Sequence, residues 1–575
     1  VDHKSILIST AALIAAPCAP PAFAQSQAPS AEAAGSNAQA TTIGEVTVTA
    51  RKREESLQDV PVAVTAATGE ELQRVRIDEP NDLARLAPSL QVSPSAGGGA
   101  TAMSVTMRGQ RAADLLLTIS QPVGIYQDGV NVPHPVGTNN SFFDLERVEV
   151  LKGPQGTLYG RNTTGGAINI ITRNANTGSL QGFVELEASK YDGRRLGAAI
   201  NLPLIEDVLA VRIAGQHWDR DGYSTSVITG QTSGSDRDDD LLRASLIFTP
   251  SEDFTAIAKY EYGAFKRNGL PYTILYRTPV SNALTLPEVN NVAGPAGVAQ
   301  LNACVNTRLF ENCSGQLQRD DVKTHHAVLD MSWSPSDAVT VRSITGYHDF
   351  SNIRIFDLDA LPWTIGENGF GTNGGVQPFL GTAAPPAGAR LPDGSLASVG
   401  PFTIPVPLVP DQESGQFTQE FNVSGEFGIV NWMVGAFYSN DKGSGSQVTV
   451  RTPGTAVRTG PLYAPSANSF EGLDVDAKTY AIFTQNDVNF TDQLSVTLGL
   501  RYTEEKLSQN NASWAYNQNF EHLPASPATG PGRNFQCTFG PLAASTSGDA
   551  FGGPRAAVYQ TDREACAVEQ KAKFD

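Results

Sequence analysis

Basic residues are scarce in this chain. Lys and Arg number 41 against 59 Asp and Glu, a formal net charge of −18 over 575 residues. A surface of that sign offers no stripe for neutralising phosphates, which argues against nucleic acid as a partner. Charge of either sign is also low, 17%, where about 25% is usual in soluble proteins. Beyond the N-terminus no apolar run reaches the ~20 residues that a spanning helix needs. That absence leaves closed barrels untouched, because they cross bilayers with strands. Catalytic signatures are missing too. There is no G-x-S-x-G, H-E-x-x-H or Walker loop, so neither a catalytic residue nor a cofactor is expected. No metal set is expected either. His325 and His326 are adjacent on an apparent strand and point to opposite faces, so they cannot chelate together. Asp238-Asp239-Asp240 could take calcium but reads as a solvated run.

What is present begins with an export signal. Lys4, the apolar run Ile6–Ala16 and the Ala22-Phe23-Ala24 cleavage site make residues 1–24 a secretory signal peptide. Residues 25–42, rich in Ala, Ser and Gln, read as a disordered linker. Cys304, Cys313, Cys537 and Cys566 follow the signal. An even count in an exported chain permits disulfides with three connectivities. Local pairing, Cys304 with Cys313 and Cys537 with Cys566, is the expectation.

The most informative stretch is Leu145–Arg173, LERVEVLKGPQGTLYGRNTTGGAINIITR. Val148–Leu151 reads as a strand that stops at Gly153-Pro154, since proline cannot donate to a ladder. A glycine-punctuated loop and a second strand, Ala167–Thr172, follow. The wording closely resembles the plug-domain signature of TonB-dependent outer-membrane receptors, over a long gapless run. SLQDVPVAVTAATGEEL, SVTMRG and VGIYQDGV, the last with an Asp128-Gly129 hairpin turn, extend the resemblance. It implies an α+β plug over 51–175. It also implies that IGEVTVTA is a TonB box: Ile43, Glu45, Val46, Thr47, Val48, Thr49 and Ala50 within 43–50. An extended segment of that kind pairs by strand addition with the edge of a partner sheet, here TonB of the inner-membrane energy-transducing complex.

From about residue 180 the pattern changes to period-two strands joined alternately by short turns and long loops. Eleven are legible: 180–190, 194–203, 208–221, 239–250, 253–268, 323–334, 338–356, 414–427, 430–442, 476–490 and 493–507. Leu242, Ala244, Leu246 and Phe248 alternate with Arg243 and Ser245. Tyr260 and Tyr262 face away from Lys259 and Glu261. One face suits outer-membrane lipid and the other a wet lumen. Trp218, Trp333, Trp432, Tyr438 and Tyr502 fit an interfacial girdle. The fold expected is an N-terminal α+β plug followed by an antiparallel transmembrane β-barrel over 180–575. A soluble secreted all-β binding protein is the alternative, disfavoured by loops of more than fifty residues. Plugged barrels have about 22 strands. Eleven strands ending at Asp575 therefore predict a receptor fragment whose sheet stays open, with 180–190 and 493–507 as unpaired edges, and which does not transport.

The resemblance further implies a latch between two plug arginines, Arg108 and Arg147, and two glutamates on the inner barrel wall. Glu420 has the opposite parity to Phe421 and Val423 and so faces the lumen. Parity from Leu498, Leu500 and Tyr502 selects Glu505 over Glu504. The function implied is energy-coupled uptake of a scarce nutrient from outside the cell, a ferric siderophore being the family's most frequent cargo. A passive plugged channel is the rival reading.

Overall fold

The computed structural model describes residues 47–270, 310–312, 318–357, 407–449, 458–459, 462–463 and 468–516, with breaks at 50, 54, 59, 96–98, 113–116, 118, 140–141, 228–229, 235 and 492. The signal peptide, the linker, Ile43, Glu45, Val46, Ala50 and all four cysteines of the expected disulfides lie outside the described residues.

The plug is built on a five-stranded sheet. Its order is Val64–Thr68, Leu145–Lys152, Gly166–Thr172, Val123–Gln127 and Val130–Val132. The two strands of the Leu145–Arg173 stretch therefore lie side by side near the sheet centre, antiparallel, with Val150 opposite Ile168. Gly166 fits where a side chain would not. Its φ is +147°, and a Cβ there would meet the Leu151 carbonyl oxygen at 2.2 Å and the Met107 sulfur at 2.3 Å. Asp128 and Gly129 both take positive φ, 49° and 82°. That is the backbone a two-residue hairpin needs, and Gln127 pairs with Val130 across it. The one α-helix among the described residues, Gly69–Arg74, starts on a capping box between Thr68 and Glu71. Leu72, Leu83, Met103, Met107, Val123, Val148 and Ile168 form the plug core.

Eleven further strands form one antiparallel sheet in chain order. The first five are Gln181–Ser189, Gly193–Ile205, Leu209–Arg220, Arg237–Ser251 and Phe254–Arg267. Strands six to eleven are Arg319–Ser336, Val339–Asp357, Pro407–Phe427, Val430–Thr449, Asn468–Thr491 and Leu494–Tyr516. They are the eleven expected, several of them longer. Among the described residues, the first and the eleventh each pair with a single neighbour.

Parity along these strands sets what the plug meets. Leu242, Leu246 and Phe248 point outward, and Leu241, Arg243 and Ser245 are buried on the inner face. Tyr347, Phe417 and Tyr480 are exposed on the outer face, and the half-buried Tyr438 is in ring contact with Tyr480 at 5.1 Å. Trp218 is a correction to the expected girdle. It shares the inward parity of Arg212 and Gln216, and it is buried beneath two guanidinium groups, Arg237 at 4.0 Å and Arg195 at 4.9 Å. Cation–π contact with arginine holds it inside rather than at the lipid boundary. No helix among the described residues is long and apolar enough to cross a membrane.

Candidate functional site

The site forms where the N-terminal segment enters the fold. Thr47-Val48 pairs antiparallel with Glu55-Ser56, and Val48 is fully buried beside Leu151, Leu158 and Tyr159. The next residue, Thr49, donates its backbone N–H to Glu149 Oε1 at 2.8 Å, and its hydroxyl donates to the same carboxylate. Glu149 is wholly buried. It also accepts from Arg147 Nε at 2.8 Å and from the Asn169 amide. Burying a carboxylate is costly unless its oxygens are hydrogen-bonded or paired, as these are.

The chain then turns at Lys52, whose N–H returns to the Thr49 carbonyl and whose φ is positive at 60°. Three consecutive cations follow, each tied down. Arg51 pairs with Asp487 at 2.8 Å and Glu55 at 2.7 Å. Arg53 pairs with the same two carboxylates. Lys52 donates to Glu420 Oε1 at 2.7 Å. Arg51, Lys52 and Arg53 thus balance Glu55, Asp487 and Glu420. Burial draws the Lys52 ammonium below the ordinary lysine range, opposed by Glu420. Burial also pushes the phenols of Tyr126 and Tyr159 up. Tyr126 donates to the Tyr159 carbonyl at 2.5 Å.

The expected latch is corrected by these contacts. Arg147 is paired inside the plug with Glu146 and Glu149. Glu149 lies two residues along the same strand, on the same face, and is nearer than any barrel carboxylate. Arg108 lies over Gly153 and, among the described residues, forms no ion pair with either glutamate. Glu420 and Glu505 do face inward and do hold plug cations, but these are Lys52 and Arg161. Glu420 and Glu505 lie on the inner face as their strand parity requires, and their partners are Lys52 and Arg161 in place of Arg108 and Arg147.

These pairs belong to a larger pattern. Barrel strands two to five each present a cation to a plug carboxylate. Arg195 meets Asp78 at 3.3 Å, Arg212 meets Asp144 at 2.6 Å, Arg237 meets Glu79, and Lys259 meets Asp128 at 2.7 Å. Strands eight to eleven each present an anion: Glu420 to Lys52, Asp441 to His134 at 3.0 Å, Asp487 to Arg51, and Glu505 to Arg161. The plug is therefore acidic toward one half of the sheet and basic toward the other, which fixes its rotation in the sheet. Burial raises Asp128, and the Lys259 ammonium with its hydrogen bond more than reverses this, leaving the carboxyl below its ordinary value. A cavity of about 100 Å³ lies between plug and wall, with Lys52, Tyr126, His134, Glu420 and Arg501 among its lining. A second hollow, about 670 Å³, opens on the long-loop side between Arg220, Arg237, Arg267 and Gln318.

Comparison with known proteins agrees with this architecture. Residues 56–167 match the TonB-dependent receptor plug domain, and residues 306–560 match the TonB-dependent receptor-like β-barrel. The chain belongs to the TonB-dependent receptors. This places it in the outer membrane and sets aside the soluble alternative. It is 34% identical over 129 residues to a vitamin B12 transporter of Vibrio vulnificus, covering 22% of this chain and 20% of that protein. It is 30% identical over 149 residues to the pesticin receptor of Yersinia pestis, covering 26% and 21%. Among solved structures, the ferric yersiniabactin uptake receptor of Yersinia pestis superposes with TM-score 0.58 at 18% identity, over 80% of this receptor and 58% of that chain. The ferripyoverdine receptor of Pseudomonas aeruginosa gives 0.56 at 14%, over 82% and 59%. This receptor thus spans about a fifth of those curated relatives and under two thirds of the solved ones. The named relatives are receptors and transporters rather than enzymes.

Proposed function

We propose that the receptor to which this plug and sheet belong serves TonB-driven uptake of a ferric siderophore across the outer membrane. The observation that carries the reading is the docking of Thr47–Thr49 and Arg51–Arg53. This segment ends a stretch that resembles a TonB box and is held by the plug through Thr49–Glu149 and by the barrel through Asp487 and Glu420. A pull on the segment loads these contacts first. Each is a polar contact that fails over a short displacement, so a pull by TonB undocks the segment before it disturbs the apolar plug core. Cargo would gather on the long-loop side, where the hollow beside Arg220, Arg237 and Arg267 has the volume of a small-molecule site. Siderophore rather than cobalamin is the reading favoured by the named relatives, of which one is a ferric yersiniabactin uptake receptor and one a ferripyoverdine receptor.

The experiment is uptake by cells carrying Val48→Pro. Proline removes the N–H and forbids ordinary strand pairing at that position. Uptake of labelled ferric chelates should fall while surface binding of the same chelate persists. Uptake equal to wild type would refute TonB coupling through this segment and return the passive-channel reading. A panel in which only cobalamin or a glycan is taken up would refute the siderophore.

A further inference from the structure

The inner wall of strands six to eight carries a row of buried polar atoms that nothing in the transport reading uses. His326 and His348 stand directly opposite each other across strands six and seven. Their rings are 5.5 Å apart, and both residues are more than nine-tenths buried against the plug. Gln416 is the residue opposite His348 on strand eight.

The hydrogen bonding of the row is one-sided. His326 Nε2 lies 3.2 Å from the Gln127 carbonyl oxygen of the plug. A carbonyl only accepts, so Nε2 carries the hydrogen and Nδ1 carries a lone pair. That Nδ1 has no partner, nor does either ring nitrogen of His348, nor Gln416 Oε1. Buried polar atoms are nearly always paired, yet these lie on three neighbouring strands at one level. They are not neutralised from the side, since Glu261, opposite His326, is bound to Arg243. His134 of the plug is held by Asp441 and packs edge-on to Phe350 at 6.0 Å.

We propose that His326, His348 and Gln416 form a binding site for one divalent transition-metal cation at the seam between plug and barrel. Unpartnered lone pairs on directly opposed residues of three adjacent strands suit a cation. Imidazole donors select zinc, copper, nickel or cobalt over calcium and magnesium, which require oxygen ligands. The Gln127 carbonyl orients His326 as the outer partners of metal-binding histidines do, by fixing the tautomer through the other ring nitrogen. Cross-strand neighbours stand close enough on one face to share a ligand. Because Gln127 belongs to the plug hairpin, a bound cation ties the plug to strands six to eight. The site is separate from His217, Asp238 and Asp240, whose ligand atoms lie within 4.8 Å of one another on the outer face.

The test uses receptor extracted from outer membranes, stripped with chelator and titrated with Co²⁺, read by its visible absorption and by bound metal per chain. Wild type should retain one equivalent. His348→Phe and His326→Phe, which keep an aromatic ring in each place, should each weaken binding at least about tenfold, the lower end of what even outer partners of metal ligands contribute. Receptor with His217→Ala should bind as wild type does. If a Phe variant does not assemble, the corresponding Gln variant is read instead at matched folded protein. Failure of wild type to retain Co²⁺ would leave the row as a site for buried water and overturn the proposal. Unchanged affinity in both inner-wall variants, or loss of the equivalent with His217→Ala, would overturn it as well.

Discussion

Replacing Glu420 by glutamine keeps the shape of the side chain and removes the charge that faces Lys52. Both partners are about nine-tenths buried, the side chains 10% and 7% exposed, so solvent does little to screen the loss. Stranding a buried charge in this way costs about 3–5 kcal/mol. An upper bound comes from the escape route, in which Lys52 gives up its proton. For a lysine of ordinary pKa at pH 7 that costs roughly 4.6 kcal/mol, and less here because burial already draws Lys52 down. The estimate therefore sits at the low end, about 3 kcal/mol, or roughly a 150-fold rise in the undocked population of the segment. Trypsin reads this directly, because Arg51, Lys52 and Arg53 are consecutive cleavage sites inside the knot. When reclosing outpaces cleavage, the cutting rate follows the open population. Purified Glu420→Gln receptor should be cut at 51–53 about two orders of magnitude faster than wild type. Glu413→Gln, on the same strand but exposed and bonded only to Ser444 among the described residues, should leave the rate unchanged. A change under about threefold in Glu420→Gln, or an equal change in the Glu413 control, would refute the assignment of Lys52–Glu420 as a holding contact.

Two further outcomes follow from the same geometry. Asp128 has a folded pKa below its ordinary 3.8, so its pair with Lys259 contributes fully above about pH 4 and the contribution disappears as pH falls through the lower folded value. Thermal unfolding of wild type and Asp128→Asn should therefore differ at pH 6, with the gap narrowing as pH falls below 3.8; a gap that widens in acid would contradict the sign. Gly166→Ala puts a Cβ 2.2 Å from a central-strand carbonyl at a positive φ, and should cost at least ~3 kcal/mol through overpacking and backbone strain combined, read as loss of protease-resistant plug. A plug as resistant as wild type would show that the two central strands can part there.

The sequence by itself determined the class, the two domains and which way most side chains face. Period-two alternation is local, so eleven strands and the inward parity of Glu420 and Glu505 were legible without any partner. The limits of the strands were not. The tenth reads as 476–490 but runs Asn468–Thr491, and the eighth reads as 414–427 but begins at Pro407. Their loop-side halves carry Gln412, Glu413 and Gly472 in place of apolar residues, because a strand that has left the lipid no longer needs an apolar face. Partners were decided only by tertiary structure. Lys52 and Glu420 are 368 residues apart, and no local rule prefers Lys52 to Arg108 or Arg147. Arg147 was lost to the latch because a buried carboxylate two residues away holds it more closely than the barrel can. Histidine shows the division most simply. Adjacency alone puts His325 and His326 on opposite faces, as the structure has them. Only the register of strands six and seven sets His348 opposite His326, because register is fixed by the whole ladder of pairs between two strands and is written in neither strand alone.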